Sequence, residues 1–302
     1  MNPHRLRAYI FLLIVAVIWG IAGPVIKLTL KGLPPDIFLL YRFFISSIAA
    51  IVIFIFTGIK FPKEAKLVRD IIIYGFFNSI ATLGLLFWGM NKTSVLDMSL
   101  IYLFCPILII LAGAIFLKDH ITAKEKAGIA IAFVGSALLV VEPLLRNHNG
   151  QSGFWGNLLI LASIISSAFC GVMVKKLLRR GISPSFLANI TFLIGFFTLL
   201  PFVLIKYNLA ESLSIIKNAP FPYHLGVIYM AIFSGTIAYS LSNLGQKTIE
   251  LSERALFGYL YPIFSAIIAI TVLGDKLTNP IIIGSIITFA GVLIAEIKKK
   301  TL

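Results

Sequence analysis

Charged residues are scarce in this sequence. They account for 13% of its 302 residues, whereas hydrophobic residues account for 59%. Soluble domains contain roughly 25% charged and 45–50% apolar residues, so a soluble fold cannot bury this much apolar surface. The composition therefore predicts a membrane protein, in which lipid covers the outward faces and helices satisfy the backbone groups internally.

The chain also lacks the alternating segments of about ten residues that build membrane β-barrels. Residues 11–18 and 107–117 are instead continuously apolar, which indicates helices. About 20 apolar residues span a bilayer, and the sequence is therefore predicted to be an all-α membrane protein with ten transmembrane helices. The predicted spans are 8–30, 36–57, 69–90, 97–117, 124–142, 154–175, 184–205, 223–247, 253–273 and 279–297.

Cysteine and histidine are rare, with two and four residues. Cys105 and Cys170 fall inside apolar segments, where cysteine usually behaves as a small buried hydrophobe. The histidines fall in termini and loops, at His4, His120, His148 and His224. Because covalent catalysis needs a nucleophile beside a base, we expect no enzyme, no disulfide, no metal site and no cofactor.

The net charge of +14 lies in the short gaps between apolar runs. We interpret it as a signal of membrane topology and expect no nucleic-acid partner. Of the 26 lysines and arginines, 18 lie on the side of the two termini, seven lie on the other side, and Arg42 lies inside the second span. Basic residues concentrate on the cytoplasmic side, so both termini are predicted to be cytoplasmic in an inner or plasma membrane.

The two halves of the chain repeat each other. An offset of 156 residues aligns identical residues without a gap, in the pairs Pro106/Pro262, Ile107/Ile263, Leu117/Leu273, Asp119/Asp275, Thr122/Thr278, Gly128/Gly284, Phe133/Phe289 and Gly135/Gly291. Earlier residues align at an offset of 149, where Lys27 and Pro35 fall on Lys176 and Pro184. Residues 8–142 and 154–297 are thus predicted to be two five-helix repeats. An odd helix number inverts the second repeat, an architecture typical of transporters.

These motifs resemble a known family. The first half resembles the EamA-type repeat of the drug/metabolite transporter superfamily at Trp19-Gly20, Arg42, Pro106, the run 117–122 and Gly128. The second half repeats the pattern at Pro262, the run 273–278 and Gly284. The resemblance implies ten helices, cytoplasmic termini and export of amino acids or other metabolites. One departure is that the family often has glutamate where Asp119 and Asp275 stand.

The resemblance also bears on the kind of solute. Small multidrug exporters of the same superfamily depend on a glutamate in the first helix, whereas residues 15–21 here contain no carboxylate. The acids Asp97, Glu142, Glu253 and Glu296 all lie near predicted span ends. This disfavours proton-coupled export of cationic drugs and favours a neutral or zwitterionic solute.

Polar residues inside spans are costly and commonly line a cavity. The third helix carries Tyr74, Asn78 and Thr82 on one face, because they are spaced four apart. The eighth carries a stripe of Thr236, Ser240, Asn243 and Lys247, with Tyr239, Ser242 and Gln246 beside it. These side chains either line a shared cavity or pack helices together, and Ile110 is expected to face lipid.

The candidate substrate-binding residues are Trp19, Asn78, Thr82, Tyr102, Tyr239, Asn243 and Tyr259. Pro106 and Pro262 are candidate hinges, because proline interrupts a helix and frees the carbonyl four residues earlier; a static packing kink is the alternative. Arg42 is a candidate gating residue that either attracts a carboxylate or neutralises a gate; the structural alternative is that it snorkels to the outer surface or bonds helix-end carbonyls.

The sequence therefore predicts an alternating-access transporter of small metabolites, whose partners are a small-molecule substrate and the lipid bilayer. The alternatives are a non-transporting assembly or receptor protein and a multidrug exporter. The oligomeric state stays open.

The charge asymmetry yields a topology prediction. In a background without Cys105 and Cys170, single cysteines at Asn149 and Lys66 should react with a membrane-impermeant thiol reagent from opposite sides of the membrane. Labelling of both positions from outside intact cells would contradict the ten-span topology.

Overall fold

The computed structural model describes residues 3–58, 61–93, 95–146, 153–272 and 278–296. In these residues the chain is an all-α bundle of ten helices, which confirms the predicted class. The helices are α1 (Pro3–Thr29), α2 (Pro35–Thr57), α3 (Ala65–Lys92), α4 (Val95–Tyr102 and Cys105–Leu117), α5 (Ala123–Arg146), α6 (Phe154–Arg179), α7 (Pro184–Asn218), α8 (Phe221–Thr248), α9 (Leu251–Leu256, Phe257–Leu260 and Tyr261–Val272) and α10 (Asn279–Glu296).

Six helices of the described chain are long and apolar enough to cross a membrane, namely α1, α2 and α3 and their counterparts α6, α7 and α8. The first and last helices place both termini at one end of the bundle, which we call the terminal face. The loops at 30–34 and 219–220 lie at the other end, the opposite face.

Three helices of the described chain are broken, two of them beside the predicted prolines. α4 stops at a turn, Leu103–Phe104, and restarts with Pro106 in its new first turn. α9 contains a 3-10 turn, Phe257–Leu260, directly before Pro262. Proline is tolerated in a first turn because its missing N–H has no partner there anyway. In α7, Asn208 (φ 48°) interrupts the helix, and its side chain caps the helical stretch that follows.

The two repeats are related by inversion, as α5 and α10 show most directly. A Cβ built on Gly128 would lie 2.6 Å from the Ala295 nitrogen, and one on Gly291 would meet the backbone of Ala132. Residues that are early in α5 therefore contact residues that are late in α10. Since the two helices are equivalent in sequence but antiparallel in space, the halves face opposite ways across the membrane.

The packing of the other helices has the same symmetry. α1 packs on α8 and α9, and its counterpart α6 packs on α3 and α4. α2 packs on its own counterpart α7, where the equivalent residues Phe43 and Phe192 meet with ring centroids 6.2 Å apart. The pattern places α1, α3, α4, α6, α8 and α9 around the interface between the halves.

Local predictions from the sequence fared unevenly. The capping box at the start of α5 is confirmed, because Thr122 N donates to Glu125 Oε2 (2.6 Å) and Glu125 N donates to Thr122 Oγ1 (3.2 Å). The prediction that Ile110 faces lipid is wrong, since its side chain is 4% exposed and packs in the core. The repeat motif at Leu273, Gly274, Asp275, Lys276 and Leu277 lies outside the described residues.

The α5/α10 contact predicts a large effect of added volume. Gly135→Leu should lower the free energy of unfolding by about 1–3 kcal/mol or more, because overpacking a tight contact forces the backbones apart. A Cβ on Gly135 already meets the Thr288 backbone and lies 2.9 Å from the Gly284 carbonyl oxygen. Thermal unfolding in detergent would measure the loss.

The matched control is Val134→Leu, which adds volume on the same helix where the side chain is 54% exposed. Equal midpoints for the Gly135 and Val134 variants would contradict the close packing of α5 against α10.

Candidate functional site

A central cavity of about 210 Å³ lies between the two repeats. One water molecule needs roughly 10–15 Å³ of such space, so the cavity has room for a small metabolite. All ten residues singled out from the sequence line it: Trp19, Arg42, Asn78, Thr82, Tyr102, Pro106, Tyr239, Asn243, Tyr259 and Pro262.

Irregular helices surround this cavity. α3 is π-helical over Phe77–Gly84 and α8 over Tyr229–Ile237, at similar positions in the two repeats. The breaks of α4 and α9 also meet at the cavity, because a Cβ on Gly258 would lie 3.1 Å from Pro106 Cγ. π-helical turns and broken helices are frequent at functional sites in membrane proteins.

Comparison with known proteins identifies the family. The sequence matches the EamA-like transporter family over residues 6–141 and again over residues 154–296. The chain belongs to the EamA-like transporter family. The cavity therefore belongs to a membrane transporter with two EamA repeats.

Individual relatives agree with the family. The protein named "Uncharacterized transporter YyaM" of Bacillus subtilis (strain 168) is 28% identical, covering 97% of this chain and 94% of its own length. A "Probable amino-acid metabolite efflux pump" of Salmonella typhimurium is 25% identical, covering 93% and 92%. A solved crystal structure with 15% identity matches 99% of this chain and 100% of its own with a TM-score of 0.73, which shows that the fold is shared.

Some predicted site residues use their polar atoms to hold helices together. Trp19 Nε1 donates to the Ser234 carbonyl (3.0 Å), and Thr82 Oγ1 donates to Ser166 Oγ (2.9 Å). Asn243 Nδ2 donates to the Pro184 carbonyl at the start of α7 (3.2 Å). The first two bonds join the two repeats and the third joins α7 to α8 within the second repeat, so each of these residues has a packing function as well as a place in the cavity wall.

Other predicted residues keep buried donor groups without a partner in the described part of the chain. Asn78 Nδ2 has no hydrogen bond, although the residue is only 4% exposed. The Tyr259 hydroxyl has none at 1% exposure. Buried polar groups are normally paired, and each exception needs an explanation.

Arg42 is the largest exception. It lies about 10 Å along α2 from Pro35, given a rise of about 1.5 Å per residue, and it is 0% exposed. Its Nε, Nη1 and Nη2 atoms have no hydrogen-bond partner among the described residues. The expectation that Arg42 snorkels to the surface or bonds helix-end carbonyls is therefore wrong, because rings of the core enclose its head.

Aromatic rings offset only part of the cost of burying Arg42. Its guanidinium carbon lies 5.5 Å from the Phe87 ring centroid and 6.0 Å from that of Phe192. A desolvated cation–π contact contributes about 2 kcal/mol, whereas burying an uncompensated ion costs several kcal/mol. The two ring contacts therefore do not by themselves compensate the burial of this charge.

One predicted stripe is partly wrong. Thr236, Ser240 and Lys247 do not line the cavity, and the face of α8 that does carries Tyr239, Ser242, Asn243 and Gln246. Both faces are polar, so the sequence did not distinguish them. Packing decides, because α8 turns Ser240 toward α7, where Asn189 Nδ2 lies 3.4 Å from Ser240 Oγ.

Sequence reasoning missed Arg254. It was counted among the basic residues that set topology, but it lies in the first part of α9, lines the cavity, and donates from Nε to Ser242 Oγ (2.8 Å). The only signal was its position two turns before Pro262, within the broken helix.

The first part of α9 (Leu251–Leu256) closes the cavity toward the terminal face. The Asp119 carboxylate accepts a hydrogen bond from the Ser252 amide in the first turn of this segment (3.2 Å), where a negative charge is favourable. Glu253 pairs with Arg5 of α1 (2.6 Å). Asp119, the acidic residue of the repeat motif in the first half, thus holds α9 of the second half in place.

Asn78 and Asn243 provide a matched pair for separating binding from packing. Asn243→Leu should lower the free energy of unfolding by about 1 kcal/mol, because the buried hydrogen bond to the Pro184 carbonyl is lost. Asn78→Leu should lower the unfolding midpoint less, since Asn78 Nδ2 has no hydrogen bond of good geometry among the described residues. Thermal unfolding of both purified variants would measure the difference, and a larger loss for Asn78→Leu would contradict these assignments.

Proposed function

We propose that this protein carries small metabolites across the membrane by alternating access, and that it exports amino acids or similar neutral or zwitterionic solutes without altering them chemically. The observation that carries the proposal is the cavity between two inverted repeats, at the breaks of α4 and α9. Inverted-repeat transporters bind their solutes near the bilayer midplane between the repeats, beside discontinuous helices.

Two features support a polar solute with an apolar part. The cavity wall combines the rings of Trp19, Tyr102, Tyr239 and Tyr261 with the amide of Asn78. Small-molecule sites are typically of this kind, with mainly apolar walls and a few oriented polar groups. The relatives in Salmonella typhimurium and Escherichia coli (25% and 24% identical) are both named probable amino-acid metabolite efflux pumps.

The topology identifies the face at which an exported solute would enter. We propose that the terminal face is cytoplasmic, because 18 of the 26 basic residues lie on that side. Export then requires the first part of α9 to separate from α4 so that solute enters from the cytoplasm. Pro106 and Pro262 are proposed hinges for this movement, because each begins the helix segment after a break.

A reversible cross-link tests alternating access. A Cβ on Gly113 of α4 lies 3.6 Å from Leu251 Cβ of α9, within the roughly 3.5–4.5 Å range of disulfides. In a Cys105→Ser/Cys170→Ser background, Gly113→Cys/Leu251→Cys should hold the terminal face closed when oxidised. Efflux of radiolabelled amino acids from proteoliposomes should stop on oxidation and resume after dithiothreitol.

The single Gly113→Cys and Leu251→Cys variants are the controls, and they should be insensitive to oxidation. Transport by the oxidised pair at the parent's rate would refute alternating access at this gate. Absence of flux by the parent for amino acids, nucleosides and sugars would refute the transporter proposal for these solutes.

A further inference from the structure

We propose that Arg42 is a specificity-determining residue that binds the carboxylate of the transported solute. This inference rests on the transport function proposed above and narrows its solute to small carboxylate-bearing molecules. Arg42 is fully buried, lines the central cavity, and has three nitrogens without a partner among the described residues. A planar guanidinium matches a carboxylate with two parallel hydrogen bonds.

The charge of the cavity agrees with an anionic group. Among the described residues that line it, Arg42 and Arg254 are the basic side chains, and none is an aspartate or glutamate. Arg254 donates to Ser242, whereas Arg42 has no hydrogen-bond partner among the described residues. The unpaired Asn78 Nδ2 is also a hydrogen-bond donor. The cavity therefore complements a solute rich in acceptors.

The repeat itself shows that the fold does not need an arginine here. Phe43 and Phe192 are equivalent residues that meet where α2 crosses α7, so the counterpart of Arg42 is Thr191. Thr191 is also 0% exposed, but its hydroxyl donates to the Ala188 carbonyl of its own helix (2.9 Å). The same position in the other repeat is satisfied locally, whereas Arg42 is not.

Aromatic rings connect Arg42 to the cavity wall, where Phe192 is fully buried and Tyr239, Trp19 and Tyr261 line the cavity. Phe192 lies 5.7 Å from Tyr239, Tyr239 lies 5.2 Å from Trp19, and Trp19 lies 6.0 Å from Tyr261, measured between ring centroids. With its carboxylate on Arg42, a solute would place an apolar or aromatic body against these rings. The geometry thus points to a small amphiphilic acid.

Trp19 provides a local reporter of binding. The protein has three tryptophans, so Trp88→Phe/Trp155→Phe leaves Trp19 alone to report through its fluorescence. In this Trp19-only protein, 3-phenylpropionate should bind roughly tenfold or more tightly than 3-phenylpropionamide or 3-phenylpropylamine, because only the acid forms a bidentate ion pair with Arg42.

Arg42→Met should remove the preference for the acid, because binding of the acid weakens far more than binding of the amide. It should also raise the unfolding midpoint of the solute-free protein, because an apolar side chain replaces an uncompensated buried charge. Arg42→Lys should keep a reduced preference, since lysine retains the charge without the planar fork. The matched control is Arg179→Met, which removes an exposed charge outside the cavity and should change neither measurement.

Failure of this inference is distinguishable from failure of the transport proposal. No binding of 3-phenylpropionate by the parent, or equal preference for the acid in the parent and in Arg42→Met, would overturn the role of Arg42. A lower unfolding midpoint for Arg42→Met, together with an acid preference in Arg42→Lys equal to that of the parent, would assign Arg42 a structural role. That result would also overturn the inference. Arg42-dependent binding without flux in proteoliposomes would instead refute transport alone.

Discussion

Inside a bilayer there is no water to bond a backbone carbonyl or amide, so each place where a helix ends or breaks needs a partner from the protein. Two lysines meet this constraint symmetrically. Lys27 Nζ donates to the carbonyls at 90 and 93, where α3 ends (2.8 and 2.7 Å). Lys175 Nζ donates to the carbonyls at 246 and 249, where α8 ends (2.7 and 2.6 Å). The structural counterpart of Lys27 is therefore Lys175 and not Lys176.

The same constraint explains the position of the cavity. Side chains from one repeat bond carbonyls in irregular segments of the other, as Trp19 does at Ser234 and Ser163 does at Thr82. These bonds hold the π-helical segments of α3 and α8 at the interface between the halves, next to the breaks of α4 and α9. The helices leave a cavity there. The symmetric packing of the two repeats thus forms the cavity. Arg42, whose counterpart in the second repeat is Thr191, adds a positive charge that departs from this symmetry.

The fold was predictable because its signals are local. The Thr122–Glu125 capping box, the breaks beside Pro106 and Pro262, and the glycines of α5 and α10 all act through adjacent residues or one helix face. The residues that line the cavity were predictable as a set, because polar side chains are rare in these spans. The individual roles of these residues were not predictable. The hydrogen bonds from Thr82 to Ser166 and from Asn243 to Pro184 depend on how different helices cross, which the spacing within one helix does not reveal.

By itself the sequence determined the membrane class, the number of helices and the repeat, because apolar length and residue identity along the chain are sufficient for these properties. Only the tertiary structure decided which face of α8 meets the cavity, that Ile110 is buried, and that Arg42 has no partner among the described residues. The physical reason is that burial and hydrogen bonding are properties of pairs of groups. Whether a buried donor is satisfied depends on an acceptor supplied by another helix.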